Sequence, residues 1–319
     1  MSAEPHRIDV HHHVLPAEYV KAAGRHGVHA GGDVPFPGWS ADSTLELMDR
    51  CGIATAITSI AAPGVYFGDR AEARDLARRC NELQARLVDE HPKRFGTFAS
   101  LPLPDVDGAL AEIEYAFGAL KADGIVLLAS IGERYLGDPA FEPVFAELDR
   151  RKAVLFVHPA IPATSRALEL AMPGALVEFV FDTTRAVVNL IFSGTLERHP
   201  ELKIILSHAG GTVPFLAWRL SAFGQMPALH AKAPEGALAY LKRLYYDTAM
   251  SANPHALASL RELVGPSHIL FGSDHPYLPE PLIQESARGI TTFQGFDDAA
   301  RRAVERSSAL ALFPRLRSL

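Results

Sequence analysis

Short apolar runs recur along the chain, and most of them are followed by a segment with helical periodicity. Most runs are continuously apolar and do not alternate with polar residues, which is typical of parallel strands buried on both faces. The pattern therefore favours an α/β protein with a parallel sheet. The predicted strands cover residues 7–14, 53–61, 95–101, 124–129, 153–158, 202–208, 244–249 and 268–272.

Amphipathic helices are predicted between these strands. The longest covers about 70–91, with an apolar stripe that includes Leu76, Cys80 and Leu87. Ser40 or Asp42 is expected to cap a helix that ends near Cys51 and Gly52. Residues 15–38 and 161–175 are expected to be loops. The other predicted helices cover about 106–121, 139–151, 176–197, 212–222, 235–241, 254–264 and 279–312.

Eight strand and helix repeats favour a (β/α)8 TIM-type barrel with extra helices at the C-terminus. We expect a single domain over residues 1–319, because no repeat, low-complexity tract or linker divides the chain. The alternative is a doubly wound sheet. That fold is expected to carry a glycine-rich fingerprint after its first strand, where this chain has three consecutive histidines.

Composition excludes several classes of partner. The 319 residues are 48% hydrophobic and carry a net charge of −6, with no basic stripe of the kind that binds nucleic acid. No apolar run reaches membrane-spanning length, and the first residues do not resemble a signal peptide. Cys51 and Cys80 lie in predicted helices, so we expect reduced core thiols in a cytoplasmic protein.

The first predicted strand contains His11, His12 and His13. Because side chains alternate along a strand, His11 and His13 share a face, whereas His12 is directed away and should tolerate substitution. Two imidazoles on one rigid strand can form half of a metal site. A flexible terminus or an affinity tag is the alternative, but Ile8 and Val10 embed the histidines in an apolar pattern.

Other strands also end in groups that can bind a metal. His158 ends the fifth strand, His208 the sixth and Asp274 the eighth. A single histidine at a strand end is more often a hydrogen-bonded core residue. In a barrel, however, these strand ends converge on one axis, so the set together predicts a metal site.

These segments resemble a known family. Residues 8–13 are similar to the D-x-H-x-H signature of the amidohydrolase superfamily. With the segments 158–159, 207–211 and 272–276, they resemble its amidohydrolase-related branch, typified by aminocarboxymuconate semialdehyde decarboxylase. The branch also contains γ-resorcylate, 5-carboxyvanillate and 6-methylsalicylate decarboxylases. The resemblance extends from Arg7 to about Phe313.

The resemblance implies a ligand set and a reaction. It implies one divalent ion, zinc first and manganese as the alternative, bound by the side chains of His11, His13, His158 and Asp274. It makes Asp274 the proton donor, with His208 handling protons or activating water, and it implies a homodimer. Asp9 is a candidate to orient a ligand histidine, and Asp247 a candidate to line the cavity.

The implied reaction is decarboxylation of a small aromatic or enoic carboxylic acid. Residues 7–16 and 62–69 look closest to the 6-methylsalicylate type, whereas Ala160 replaces the tryptophan of the semialdehyde decarboxylases. A hydrolase of lactones, esters or amides, or a hydratase, is the alternative on the same scaffold. A degenerate barrel that only binds ligands is a third reading, which the complete ligand set disfavours.

Substrate contacts are harder to predict. Four aromatic residues are candidates to stack on a planar ring, although each could equally be core or lid packing. Arg185 is a candidate to bind a carboxylate, or else pairs with Asp182. The four aromatic candidates are Trp39, Tyr66, Phe67 and Tyr277.

Overall fold

The computed structural model describes residues 6–165 and 171–318. Eight strands form one sheet in which every neighbouring pair is parallel and the spatial order follows the chain. The TIM-type barrel is therefore confirmed. The strands are β1 (Arg7–His13), β2 (Ile53–Ser59), β3 (Phe95–Ser100), β4 (Gly124–Leu128), β5 (Val154–His158), β6 (Lys203–Leu206), β7 (Tyr245–Asp247) and β8 (Ile269–Leu270).

Backbone hydrogen bonds join β1 to the segment that follows β8. The Val10 N–H donates to the carbonyl of Phe271 over 3.0 Å, and the His13 N–H donates to that of His275 over 2.7 Å. The Asp274 N–H donates in return to the carbonyl of His11 over 2.8 Å. These bonds bring the first strand and the last strand end together around the barrel axis.

Helices follow most strands and cover the barrel. The long helix begins after Asp69, whose side chain accepts the Glu72 N–H, and Ser40 caps an earlier helix as expected. The α-helices are α1 (Ala17–Arg25), α2 (Ala41–Arg50), α3 (Arg70–Glu90), α4 (Val106–Gly118), α5 (Glu142–Arg150), α6 (Glu178–Phe192), α7 (Thr195–Arg198), α8 (Val213–Phe223), α9 (Pro227–His230), α10 (Ala237–Arg243), α11 (Pro254–Leu263), α12 (Glu280–Thr292), α13 (Asp298–Arg302) and α14 (Ser308–Leu312).

The prediction that 15–38 is a loop was wrong. It contains α1, whose residues Tyr19, Ala22 and Ala23 are buried, and a short antiparallel hairpin, Ala30–Gly31 paired with Val34–Pro35. The many glycines hid the short helical pattern, because glycine is disfavoured within helices. We call residues 30–35 the mouth hairpin. The predicted loop 161–175 is described only in part, since 166–170 lie outside the described residues.

The barrel interior is filled from its amino-terminal end. Alternate strand residues such as Ile57, Phe98 and Phe156 form one cluster, which continues onto α14 and Phe313. A second, larger cluster lies between the strands and the surrounding helices. The interior is thus closed below, and polar side chains collect at the carboxyl ends of the strands. No described helix has both the length and the hydropathy needed to cross a membrane.

Candidate metal centre and adjoining chamber

Four buried side chains converge at the carboxyl end of the barrel. His11, His13, His158 and Asp274 each offer one ligand atom, and these atoms all lie within 4.8 Å of one another. The Nε2 atoms of His11 and His13 are 3.0 Å apart, and each lies 3.3 Å from Oδ1 of Asp274. Two donors at about 2.1 Å from a tetrahedral ion are about 3.4 Å apart, so the spacing fits a metal ion such as zinc.

The second nitrogen of each histidine has its own partner. Nδ1 of His11 donates to Oδ2 of Asp247 over 2.7 Å, and Nδ1 of His158 donates to the carbonyl of Pro159 over 2.8 Å. Nδ1 of His13 lies 3.0 Å from the hydroxyl of Ser59. These contacts fix the Nδ1 atoms and direct the Nε2 atoms towards one point, as is usual for histidine ligands. Three nitrogen donors and one carboxylate therefore fit a single divalent ion.

Asp9 has a different role from the expected one. Its carboxylate accepts the N–H groups of His11 and Ser273, each over 3.0 Å, and the Nδ1 of His12 over 2.9 Å. It therefore ties the β1 backbone to the turn that carries Asp274. Asp247, predicted as a candidate to line the cavity, is the carboxylate that orients the candidate ligand His11.

His12 lies outside the candidate ligand group, and it is completely buried. Its ring packs against that of His275 at 4.7 Å between centroids, and its Nε2 has no hydrogen-bond partner among the described residues. The pairing of β1 with β2 is irregular between Asp9 and His12, which re-aims the following side chains. His12 is directed away from the ligand atoms as predicted, but it faces packed protein, so the expected tolerance to substitution does not follow.

Burial and charge set the protonation of the ligands. Burial lowers the pKa of His13 to about 4 and holds that of His158 well below its usual range. Burial also acts to lower the pKa of His11, but Asp247 and Asp274 outweigh it and raise that pKa to about 10. Burial opposes ionisation of Asp274, yet His11 and hydrogen bonds from neighbouring histidines hold its pKa well below the usual value. Asp274 is therefore a carboxylate.

His208 stands beside this group. Its Nε2 lies 3.4 Å from Oδ2 of Asp274, and its Nδ1 is buried without a hydrogen-bond partner in the described part of the chain. Its backbone N–H donates to Asp247 over 2.8 Å. His208, Met250 and Asp274 all have positive φ, at 52°, 51° and 59°. Such strain in residues other than glycine is typical of functional sites.

A chamber of about 400 Å³ opens on the ligand group. His158, His208 and Asp274 are at its polar end, and no lysine or arginine lines it within residues 6–165 and 171–318. Phe179 lies over this end, with ring centroids 5.8 Å from His158 and 6.4 Å from His208. The remaining lining residues are mainly apolar or lack a charge: Gly31, Val34, Ala61, Ala62, Pro173, Ala175, Leu176, Val180, Met250, Ser251, Tyr277 and Leu278.

The predicted substrate contacts divide into three groups. Tyr277 lines this chamber, and its buried hydroxyl has no described partner. Tyr66 and Phe67 line a second cavity. Trp39 packs against the hydrophobic core and Arg185 is exposed near Asp182, so neither lines the chamber at the ligand group.

Sequence reasoning missed Phe179, because it lies near the start of α6 and not at a strand end. Its position in the first turn of a largely apolar helix, after the loop that follows β5, was the one sequence signal that could have indicated a contact between Phe179 and the site. His275, which directly follows Asp274, is not among the residues that line the chamber. Its ring packs on His12, with Nε2 3.4 Å from the hydroxyl of Thr44.

Comparison with known proteins gives consistent matches over nearly the whole chain. A sequence model of the family described as Amidohydrolase matches residues 8–315. A 6-methylsalicylic acid decarboxylase of Penicillium expansum is 38% identical, with 98% of each chain covered. The decarboxylase yanB of Aspergillus niger is 40% identical over 97% of this chain and 88% of its own. The crystal structure of 5-carboxyvanillate decarboxylase from Sphingomonas paucimobilis is 26% identical, covers 98% of this chain and 99% of its own, and superposes with a TM-score of 0.87.

Proposed function

The chain belongs to the amidohydrolase family, and we propose that it is a metal-dependent decarboxylase of small hydroxyaryl carboxylic acids of the 6-methylsalicylate type. The observation that carries this proposal is the chamber, which has two of the four proposed metal ligands and His208 at one end and mainly apolar walls. The relatives named 6-methylsalicylic acid decarboxylase and decarboxylase yanB support it. A hydrolase or hydratase is not favoured.

The substrate class follows from the distribution of charge. An aromatic monocarboxylate needs one charged contact and an apolar wall. The ligand group supplies the first, and Phe179 with Val34 and Leu278 supplies the second. Further charged groups on the substrate would meet no lysine or arginine among the described lining residues. This arrangement favours a methyl-substituted salicylate over a dicarboxylate.

We propose one divalent ion, zinc or manganese, held by His11, His13, His158 and Asp274, because three nitrogens and one oxygen suit a borderline metal. When bound, it would supply a Lewis acid for the carboxylate and phenolate oxygens of the substrate. Elemental analysis of the purified protein tests this. A His158→Ala variant that keeps a full equivalent of metal would contradict the assignment.

The chain's own residues position the ring and move the proton. Phe179 and Tyr277 hold the ring, and burial raises the pKa of Tyr277 so that its hydroxyl stays protonated and can donate to a substrate oxygen. His208 and Asp274 form the catalytic pair, with Nε2 of His208 3.4 Å from Oδ2 of Asp274, and we assign the proton transfer to His208 because Asp274 is held as a carboxylate. The proton is delivered to the ring carbon that bears the carboxylate. The bond to the carboxylate then breaks, and its electron pair restores the aromatic ring as CO2 leaves.

The test is incubation of the metal-loaded protein with 6-methylsalicylate, with CO2 and 3-methylphenol as measured products. A His208→Asn variant should keep its metal and lose most turnover, since a general acid contributes about 10²–10⁴-fold. A panel of lactones, esters and amides serves as the comparison. Hydrolysis of that panel without CO2 release from any hydroxyaryl acid would refute the proposal.

Phe179→Ala should raise KM for the aromatic acid, because it removes the ring that lies over the ligand group. Phe181→Ala is the matched control, since Phe181 is on the same helix and its side chain is exposed. Equal KM changes in the two variants would contradict the placement of the substrate ring.

We further propose that the protein acts as a single-domain cytoplasmic homodimer. Cys51 and Cys80 are buried and free, which suits a reducing compartment. Phe215 and Trp218 on α8 are 87% and 81% exposed, and so large an exposed apolar pair favours a contact with a second copy of the chain. Light scattering of the wild type and a Trp218→Lys variant tests this. A monomeric wild type would contradict it.

A further inference from the structure

The carboxyl end of the barrel holds a second, larger cavity that the proposed reaction does not use. Its volume is about 680 Å³, and it lies at the ends of β2 to β5. We call it the side chamber. Its lower wall is made of aliphatic side chains that are mostly buried: Ile60, Val65, Leu101, Leu103, Val126, Leu127 and Leu128.

The side chamber adjoins the chamber at the ligand group in two places. Ala62 lines both cavities. Leu128, which lines the side chamber, is paired in register with the ligand His158, which lines the other. The two cavities are therefore neighbours that share a wall at Ala62.

Small residues form the boundary between the cavities. The mouth hairpin crosses above it, and a Cβ on Gly31 would lie 2.6 Å from the carbonyl oxygen of Ala62. A Cβ on Gly32, where φ is +59°, would lie 2.3 Å from the ring of Phe179. Only glycine allows the hairpin to lie this low. The hairpin is fixed by the N–H of Ala175, which donates to the Gly32 carbonyl over 2.9 Å.

We propose that the side chamber is a subsite for an apolar substituent of the aromatic acid, so that the enzyme accepts salicylates with an alkyl chain longer than methyl. This inference rests on the proposed function, because the ligand group must hold the carboxylate while the chain extends past Ala62. The lining favours an alkyl chain over a second carboxylate. Asp33 in the lining would repel a carboxylate, and no lysine or arginine among the described lining residues would bind one.

Burial of each added methylene is expected to improve affinity about fourfold, which corresponds to about 0.8 kcal/mol. The experiment measures kcat/KM for 6-methyl-, 6-ethyl-, 6-propyl- and 6-pentylsalicylate with the metal-loaded protein, and their dissociation constants by calorimetry. In the wild type, affinity should rise along the series.

Ile131 is half-buried at the rim of the side chamber and does not line the other cavity. Ile131→Trp should remove the dependence on chain length by filling the side chamber, and Ile161→Trp is the second variant if the first does not fold. Leu282→Trp on α12, whose side chain is 44% exposed, is the matched control and should keep the wild-type dependence.

The outcomes separate the two proposals. If 6-methylsalicylate is not decarboxylated, the proposed function fails, while the calorimetric series still tests the subsite. If 6-methylsalicylate is decarboxylated but longer chains bind no better, the subsite is refuted. A chain-length dependence that survives in the folded tryptophan variants would refute it as well.

Discussion

Asp247→Asn should weaken metal binding without unfolding the protein. Asp247 is completely buried, and its two oxygens have different partners: Oδ2 accepts from Nδ1 of His11, and Oδ1 accepts the N–H groups of His208 and Ala249. The amide of asparagine can keep the second set through its oxygen. Its NH2 group then faces Nδ1 of His11 and donates to it, so the ring proton moves to Nε2, where the metal would bind.

The expected loss follows from the energy of that contact. A hydrogen bond to a charged group is worth about 1.5–3 kcal/mol, and loss of the partner of a histidine ligand typically costs about 10–100-fold in metal affinity. His11 and Asp247 are both 0% exposed, and the contact is only 2.7 Å long, so the upper part of the range is expected. The assay is competition for zinc or manganese between the apo variant and a chelator of known affinity.

Asp9→Asn is the matched control, because Asp9 is equally buried and on the same strand as His11. Its carboxylate accepts the backbone N–H of His11, but the only imidazole ring that it contacts among the described residues is that of His12, which is outside the proposed ligand set. Its metal affinity should stay within a few-fold of the wild-type value. An Asp247→Asn variant within threefold of wild type would refute the tautomer argument, as would an equal loss in Asp9→Asn.

Three other measurements test the structure more widely. His12→Ala should lower the free energy of unfolding by about 2–3 kcal/mol while keeping metal stoichiometry, because it leaves a cavity and removes a partner of the buried Asp9; retained stability in a denaturant titration would contradict this. Glu142→Gln should cost about 1 kcal/mol near neutral pH, because hydrogen bonds from Arg198 first, and then from His199, lower the pKa of Glu142 to about 2. The difference from wild type should be complete above about pH 4.5 and disappear as pH falls towards 2 in acid unfolding curves. Excess chelator should lower the melting temperature of the wild type but not that of His158→Ala, since an ion that binds only the folded state stabilises it.

The barrel could be predicted because most strands are recognisable in the sequence as separate apolar runs. The strands of a parallel barrel are buried on both faces, so most runs, such as 124–129 or 153–157, are apolar throughout. Glycine-rich segments carry no such signal. For this reason α1 and the mouth hairpin were not anticipated, although the hairpin forms part of the wall of the chamber at the ligand group.

The supporting residues of the site were less predictable than the proposed ligands. The proposed ligands stand at or just after strand ends, where the inward-facing side chains are directed to one axis. The carboxylates behind them depend on how neighbouring strands are staggered and on the irregular pairing of β1 with β2. From strand alternation alone, Asp9 was the expected hydrogen-bond partner for the ring of a proposed ligand on the same strand. In the structure, the carboxylate of Asp9 contacts the ring of His12. The ring of His11 instead contacts Asp247, which is on β7, across the closure between β1 and β8. The two carboxylates therefore have different roles. Asp247 orients the ring of His11, and Asp9 holds β1 against the turn that carries Asp274. The two substitutions should therefore have different effects: Asp247→Asn lowers metal affinity in a folded protein, whereas Asp9→Asn lowers the free energy of unfolding.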